Sequence, residues 1–318
     1  MQYTLTAWIH SGTPFEPTSG WPTIHSMLSM SAVECEYMLE FSVANLVMPE
    51  PSFEIPSSLG TWQLARFGQY EDLLHDVDQG KCANTYYASL DAVGPQSSDA
   101  EFGTACDEII DFCLVLSFLT ARCVTPSGDT PQSEIHFLGL HDKFVRPRGI
   151  VGFPAAAVSS MTSLFADWIC SSYQAYRDRT LRLQLCHWLS GLTCFSLEDL
   201  YLACGVQMDI VKQVERRVTG NSRLEYFQGM KSASTRYRIP PLGHDYTKMR
   251  NDIVHQGVLS GNNFTSRSKA ECAAVVADAL NWLDSYVMAV IGKAGMVSGL
   301  PRWKGGDLVS GLAALSVS

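Results

Sequence analysis

The apolar residues of this chain change their spacing part-way along it, and this change limits the folds that the chain can adopt. In residues 33–43 apolar side chains alternate with glutamates, which is typical of a strand with one buried face. Residues 2–10 also alternate, and further strands are predicted over 62–67, 85–90 and 134–140, between stretches rich in Pro, Gly and Ser. The first half should therefore contain an antiparallel sheet.

Residues 101–123 break this pattern, because they are rich in Leu, Phe and Ala and are apolar on most sides. They predict a long helix covered by the sheet. Glycine and proline then punctuate residues 148–154, and helical spacing begins after them. The predicted fold is an α+β N-terminal domain, residues 1–150, followed by an all-α helical bundle, residues 151–318, that ends in a tail rich in Gly and Ser.

The second half should consist of helices joined by short connections. Helical spacing predicts them over 155–176, 180–203, 208–219, 245–256 and 266–291. The last of these has Ser268 and Glu271 near its start, three residues apart, which is the pattern of a capping box. After Gly292, Trp303 is the one bulky anchor, and we expect this tail either to be mobile or to dock on a partner.

Composition favours a globular protein. Hydrophobic residues make up 46% of the chain and charged residues 17%, which suits packed cores rather than disorder. Residues 1–10 lack the features of a signal peptide, and the most apolar runs, 109–121 and 287–291, are too short to cross a bilayer. We therefore expect a soluble cytoplasmic protein without membrane contact.

The ten cysteines include no Cys-x-x-Cys pair, so the paired spacing of zinc ligands is absent. Most of them have apolar neighbours, and buried, reduced thiols are the expected state. His136, His141 and Asp142 have no third partner nearby in the sequence, and we interpret them as ordinary strand and turn residues. We predict no metal and no other cofactor.

Charge divides the chain into an acidic first half and a more basic second half. Residues 1–150 contain 6 Lys and Arg against 19 Asp and Glu, whereas residues 151–318 contain 17 against 13. Residues 212–250 hold nine basic and three acidic residues. Because proteins bind nucleic acids largely through the phosphates, RNA is expected on the second half. The candidate RNA-binding residues are Arg216, Arg217, Arg236, Arg238 and Lys248. The alternative is that basic side chains of this region only cover solvated helix faces.

The strongest candidate site lies in a predicted helix that Asp245 can cap and Gly257 can end. Arg250, Asn251 and His255 are its polar residues of interest, and Asn251 and His255 share a face because they are four residues apart. They lie off an apolar stripe that should pack the helix against the bundle, formed by Tyr246, Met249, Ile253 and Val254.

A second pair with the same spacing, Arg182 and His187, has a different setting. The residues between them are mostly apolar, no polar residue directly follows the arginine, and Trp188 comes next. We interpret this earlier pair as part of a packed helix.

The run from Tyr246 to Gly257 resembles the signature of the HEPN family, which is Arg, then usually Asn, Asp or His, three further residues, and His. The order of a strand-rich front and a HEPN-like rear is also similar to the ApeA group of bacterial anti-phage proteins, whose front half is taken to sense or regulate. The resemblance covers roughly the second half of the chain. It implies a helical bundle in which two protomers join their sites and cut RNA without metal, with Arg250, Asn251 and His255 as catalytic residues.

These residue types suit RNA cleavage by attack of the 2′-hydroxyl on the adjacent phosphate. Histidine can transfer protons near neutrality, and arginine can stabilise the charge on the phosphorane. The expected function is an endoribonuclease that cuts cellular RNA, in anti-phage defence or as the toxin of a toxin–antitoxin pair. The alternative is a non-catalytic HEPN module that binds RNA, nucleotide or a partner protein. Expected partners are RNA, a second copy of the chain, and an antitoxin or a phage-derived trigger.

Overall fold

A computed structural model describes part of the chain. The strands predicted over 2–10 and 134–140, the helix predicted over 155–176 and the domain boundary predicted near residue 150 lie outside it. His136, His141 and Asp142 lie outside it as well. The described residues are 37–48, 50–79, 81–92, 98–120, 122–127, 180–265, 268–292, 294–295 and 302–316.

The first half contains an antiparallel five-stranded sheet, as predicted. The strands are β1 (Tyr37–Ala44), β2 (Ser52–Pro56), β3 (Thr61–Arg66), β4 (Asn84–Ala92) and β5 (Thr125–Ser127). They lie in the order β2-β3-β4-β1-β5, and every neighbouring pair is antiparallel. Strands β1, β3 and β4 match predicted strands, whereas β2 and the three-residue β5 were not predicted.

Two helices accompany the sheet, α1 (Tyr70–Asp78) and α2 (Asp99–Thr120). Helix α2 confirms the long apolar helix predicted over 101–123, whereas α1 was not predicted. The buried Glu108 of α2 accepts hydrogen bonds from the hydroxyls of Ser57 and Ser58 at 2.5 and 2.6 Å, at the turn between β2 and β3. This carboxylate therefore fixes the helix to one edge of the sheet.

Helix α2 also contacts the first described helix of the second half, α3 (Leu181–Leu192). Arg182 on α3 donates to the carboxylates of Asp111 at 2.5 Å and Asp107 at 2.9 Å, and Asp111 is fully buried. Leu181, Leu185, Trp188 and Leu189 on the same helix are buried. These contacts confirm the interpretation of Arg182 and His187 as residues of a packed helix.

The described elements of the second half are helices, apart from a single parallel bridge between Ser196 and Ala313. Besides α3 this half contains α4 (Leu197–Thr219), α5 (Tyr226–Tyr237), α6 (His244–Gln256), α7 (Lys269–Val290) and α8 (Gly305–Gly311). The hydroxyl half of the capping box predicted for α7 is present, because the Ser268 hydroxyl accepts from the amide of Glu271. The arrangement of a sheet followed by helices agrees with the predicted fold class.

One helix boundary was predicted wrongly. The helix expected over 180–203 ends at Leu192, and a new helix begins at Leu197 and continues without a break through the region expected to start at 208. The break occurs because the Ser196 hydroxyl accepts from the amide of Asp199 and caps α4. Helix α5 was missed, because its exposed polar residues obscure the helical spacing.

The C-terminal tail docks on this chain's own helices. Trp303 donates through Nε1 to Asp284 on α7, and the Lys269 side chain donates to the carbonyls of Val309 and Leu312 at 2.8 and 2.7 Å. Residues 302–316 are therefore not a mobile tail, as one of the two expectations had it, and partly buried polar contacts with α7 are the physical reason.

Helix α7 is, among the described residues, the one helix long and apolar enough to cross a membrane by length and composition. Most of its apolar window, 72%, is buried inside the structure. It therefore has the surroundings of a core helix, packed against α4, α5 and α8.

Candidate functional site

The helix that carries the candidate site is α6, and its ends are set by glycines. Gly243 precedes the first helical residue, and Gly257 ends the helix in the left-handed region at φ +72°. Asp245 was expected to cap the helix, but it lies inside the first turn. There its charge still favours the positive end of the helix dipole.

The buried face of α6 differs from the predicted apolar stripe. Tyr246 and Met249 are fully buried, as expected, and Ile253 is partly buried. Val254 is 54% exposed, and the third buried position belongs to Asp252 instead. The helix therefore packs on the bundle through Tyr246 and Met249, with Ile253 partly buried beside them.

Asp252 holds the loop that follows α6. Its carboxylate accepts from the backbone amides of Gly261, Asn263 and Phe264 at 3.1, 3.0 and 2.6 Å, and from the side chain of Asn263 at 2.6 Å. Burial alone would raise the pKa of Asp252, but the hydrogen bonds from Phe264, Asn263 and Gly261 outweigh it and lower that pKa. Sequence reasoning missed this residue, although an Asp before a loop rich in Gly, Asn and Ser is typical of such an anchor.

Arg250 is held between a tyrosine ring and a carboxylate. Its guanidinium carbon lies 4.5 Å from the ring centroid of Tyr226 on α5, and Nη2 lies 3.6 Å from the carboxylate of Asp209 on α4. The side chain keeps 31% of its surface exposed. Arg250 is thus oriented by two other helices and still reaches solvent. Neither Tyr226 nor Asp209 was singled out from the sequence, because both are distant from Arg250 along the chain.

A group of three tyrosines supports this arrangement. The ring centroid of Tyr246 lies 4.7 Å from that of Tyr201 and 6.4 Å from that of Tyr226, with which it is stacked. Tyr201 donates to the carbonyl of Tyr246 at 2.7 Å, which ties α4 to α6. Burial raises the pKa of all three hydroxyls, so the rings stay neutral and Tyr226 presents an uncharged face to Arg250.

Asn251 and His255 lie four residues apart on α6, with Asn251 half-buried and His255 exposed. Within the part of the chain that the structure describes, neither side chain makes a hydrogen bond, and the His255 imidazole is accessible to solvent or a ligand. Arg250 and His255 are separated by about 7.5 Å along the helix axis.

His244 cannot complete the site from within the same helix. It begins α6 and lies against the ring of Phe227 on α5, with centroids 5.0 Å apart. The two histidines are eleven positions apart, which is about 16.5 Å along the axis. Among the described residues, α6 therefore offers one histidine, His255, near its C-terminal end.

Two of the predicted RNA-binding arginines bond to other groups of the protein, although Arg236 is itself exposed. Arg236 makes a two-pronged ion pair with the fully buried carboxylate of Glu215, at 3.1 to 3.3 Å. Arg216 donates to the carbonyl of Leu224 at 2.8 Å. Both residues therefore have a structural role, and their charges are less available to RNA than predicted.

The other three predicted RNA-binding residues lie at the surface. Arg217 is exposed, with a long contact of 3.4 Å to the hydroxyl of Thr180. Arg238 follows the end of α5 and is exposed, and Lys248 pairs with Asp245 one turn away on α6. Within the described residues, the partners of Arg250 are Tyr226 and Asp209 rather than any of these five.

Two further observations limit the chemistry of the site. No group of three or more His, Cys, Asp or Glu that could hold a metal occurs among the described residues. A shallow, open depression lies on α5 and does not include Arg250 or His255; it is lined by Gln228, Lys231, Ser232, Thr235 and Arg236. Arg250 and His255 both reach solvent, so the candidate site is an accessible face of α6.

The chain was compared with protein-family models, with curated proteins and with solved structures, and none of these comparisons gives a significant match.

Proposed function

We propose that this protein is a metal-independent endoribonuclease of the HEPN type, with Arg250, Asn251 and His255 as its catalytic residues. The observation that supports this most is the state of two side chains on α6. Arg250 is oriented by Tyr226 and Asp209 but remains partly exposed, and the imidazole of His255 is exposed on the same helix. A permanent cation and a free imidazole are the groups that cleavage by a 2′-hydroxyl requires.

In the proposed reaction, the 2′-hydroxyl of one nucleotide attacks the adjacent phosphate and expels the 5′-oxygen of the next. His255 accepts or donates a proton in this step, and Arg250 stabilises the extra negative charge on the phosphorane. Asn251 orients His255 or binds a phosphate oxygen. The products are a 2′,3′-cyclic phosphate and a 5′-hydroxyl.

A homodimer would supply the second histidine that acid–base catalysis on both sides of the phosphate needs. Exposed apolar side chains near Arg250 favour such an interface. Val206 lies one turn before Asp209 on α4, and Val254 lies one turn after Arg250 on α6, and both are exposed. Leu202, one turn before Val206, is exposed as well. Two copies meeting here would join two Arg250 and two His255 around one cleft.

In the cell, this activity would arrest growth by cutting cellular RNA, either in anti-phage defence or as the toxin of a toxin–antitoxin pair. The sheet-containing first half would then sense a trigger or regulate the nuclease. The contacts of α2 with α3, through Arg182, provide a physical link between the two halves.

The second candidate is a HEPN module that binds RNA, nucleotide or a partner protein without catalysis. The lack of a hydrogen-bonding partner that orients His255 among the described residues favours it, because catalytic histidines usually have one. Under this reading Arg250 binds a phosphate and no bond is broken.

Incubation of the protein with total RNA in EDTA distinguishes the two. Wild-type protein and the His244→Ala control should cut RNA, whereas His255→Ala and Arg250→Ala should not, with melting temperatures close to that of wild type. Cleavage by His255→Ala equal to that of wild type would remove the proposed catalytic role. Binding without cleavage by the wild type would favour the non-catalytic module.

A further inference from the structure

Three helices bring two cations to the same tyrosine ring. Arg250 of α6 lies over Tyr226, and the ammonium of Lys212 on α4 lies 5.9 Å from the centroid of the same ring. The Lys212 side chain is 16% exposed. Its stem packs where α4 and α5 approach closely, because a Cβ on Gly229 would lie 3.1 Å from the Lys212 backbone and stem. Helix packing therefore holds the base of the Lys212 side chain, and the contact with Asp209 orients its ammonium.

One carboxylate lies between the two cations. Asp209 accepts from Lys212 at 2.5 Å through one oxygen, and its other oxygen lies 3.6 Å from Arg250. The second separation exceeds the range of a hydrogen bond, so Asp209 does not engage the guanidinium donors fully. Two positive charges against one negative charge leave the cluster with a net charge of about +1, open to a further anion.

We propose that Lys212 and Arg250 together bind one phosphate group of the RNA, with Tyr226 as their platform and Asp209 as the internal anion that the phosphate replaces. This inference rests on the proposed function and adds Lys212 and Asp209 to it. Lys212 is a binding residue that holds the phosphate, whereas the bond-breaking step remains with Arg250 and His255.

The test measures binding of a short single-stranded RNA of mixed sequence as a function of salt, in a His255→Ala background that cannot cut it. Lys212→Gln should weaken binding about tenfold at low salt and reduce the slope of log K against log salt by about 0.7, the value for one lost contact to single-stranded RNA. Lys212→Arg should restore both. Asp209→Asn should tighten binding, because it removes the competing charge.

Lys81→Gln is the matched control, because Lys81 also pairs with an aspartate, Asp76, at 2.7 Å but lies in the sheet-containing half. It should leave affinity and slope unchanged. If Lys212→Gln behaves as Lys81→Gln does, with equal melting temperatures, the phosphate site is wrong while the proposed function stands. Weaker binding by Asp209→Asn would overturn the competing role of Asp209. No RNA binding by the parent protein would overturn both the site and the proposed function.

Discussion

Replacing Asp252 by asparagine should destabilise the protein through the loop that follows α6. The buried carboxylate accepts from three backbone amides and from the side-chain amides of Asn263 and Gln256, and an asparagine would turn an N–H group toward some of these donors. Hydrogen bonds to a charged acceptor contribute about 1.5–3 kcal/mol each. The exposed loop can recover part of this with water, so we expect a loss of about 2–4 kcal/mol in the free energy of unfolding.

Urea unfolding of Asp252→Asn beside Asp245→Asn provides the measurement. Asp245 lies on the same helix but is largely exposed, so its replacement should change stability by less than about 0.5 kcal/mol. Amide hydrogen exchange should become faster at Gly261, Asn263 and Phe264 in the Asp252 variant alone. Equal stability of the two variants would refute the role of Asp252 as an anchor.

Asp252 also determines how the stability of the protein changes with pH. Because the pKa of Asp252 is lowered in the folded state, its charge stabilises the protein above the unfolded-state pKa of about 3.9. This contribution is lost as the pH falls from there through the lowered folded-state value. The stability difference between wild type and Asp252→Asn should therefore be constant near neutrality and shrink below about pH 4. A difference that grows on acidification would contradict this reasoning.

Two further predictions concern stability and assembly. Arg182→Ala should lower the free energy of unfolding by about 2–4 kcal/mol, because it removes the guanidinium beside the buried Asp111 carboxylate. Leu183→Ala, at an exposed position, should change the free energy of unfolding little, and urea unfolding compares the two variants. If Arg182→Ala cuts RNA more slowly than wild type under conditions in which it is fully folded, the role of Arg182 is not only structural. For the shared site, excess His255→Ala protein should inhibit the wild type through mixed dimers, and sedimentation should show a dimer; a monomer with constant specific activity on dilution would exclude the composite cleft.

Much of the secondary structure could be predicted, because periodicity reports which face is buried. The strands β1, β3 and β4 and the helices α2, α6 and α7 follow their spacing closely. Strand β2 could not be predicted in this way, since it lies in a stretch rich in Pro and Ser and only Phe53 and Ile55 alternate there. The break at residues 193–196 depends on one capping hydroxyl rather than on periodicity.

The sequence could predict which site residues share one helix, but not which residues of other helices contact them. Local spacing placed Arg250, Asn251 and His255 on one helix, and the structure agrees with that placement. The partners of Arg250 come from other helices, so no local pattern could name Tyr226 or Asp209. Net charge likewise did not reveal that Arg236 is paired with a buried glutamate, because ion pairing depends on the packing of α4 against α5.

The chemistry of cleavage can be tested with one pair of RNA substrates that differ by a single oxygen. A short RNA cut by the wild-type protein in EDTA should yield a 2′,3′-cyclic phosphate, detected by mass spectrometry of the products. The same RNA with a 2′-deoxy nucleotide on the 5′ side of the cut should bind with similar affinity and remain intact, because the attacking hydroxyl is missing. Cleavage of the deoxy-substituted RNA at that position, or activity that appears only when Mg²⁺ is added, would contradict the proposed reaction.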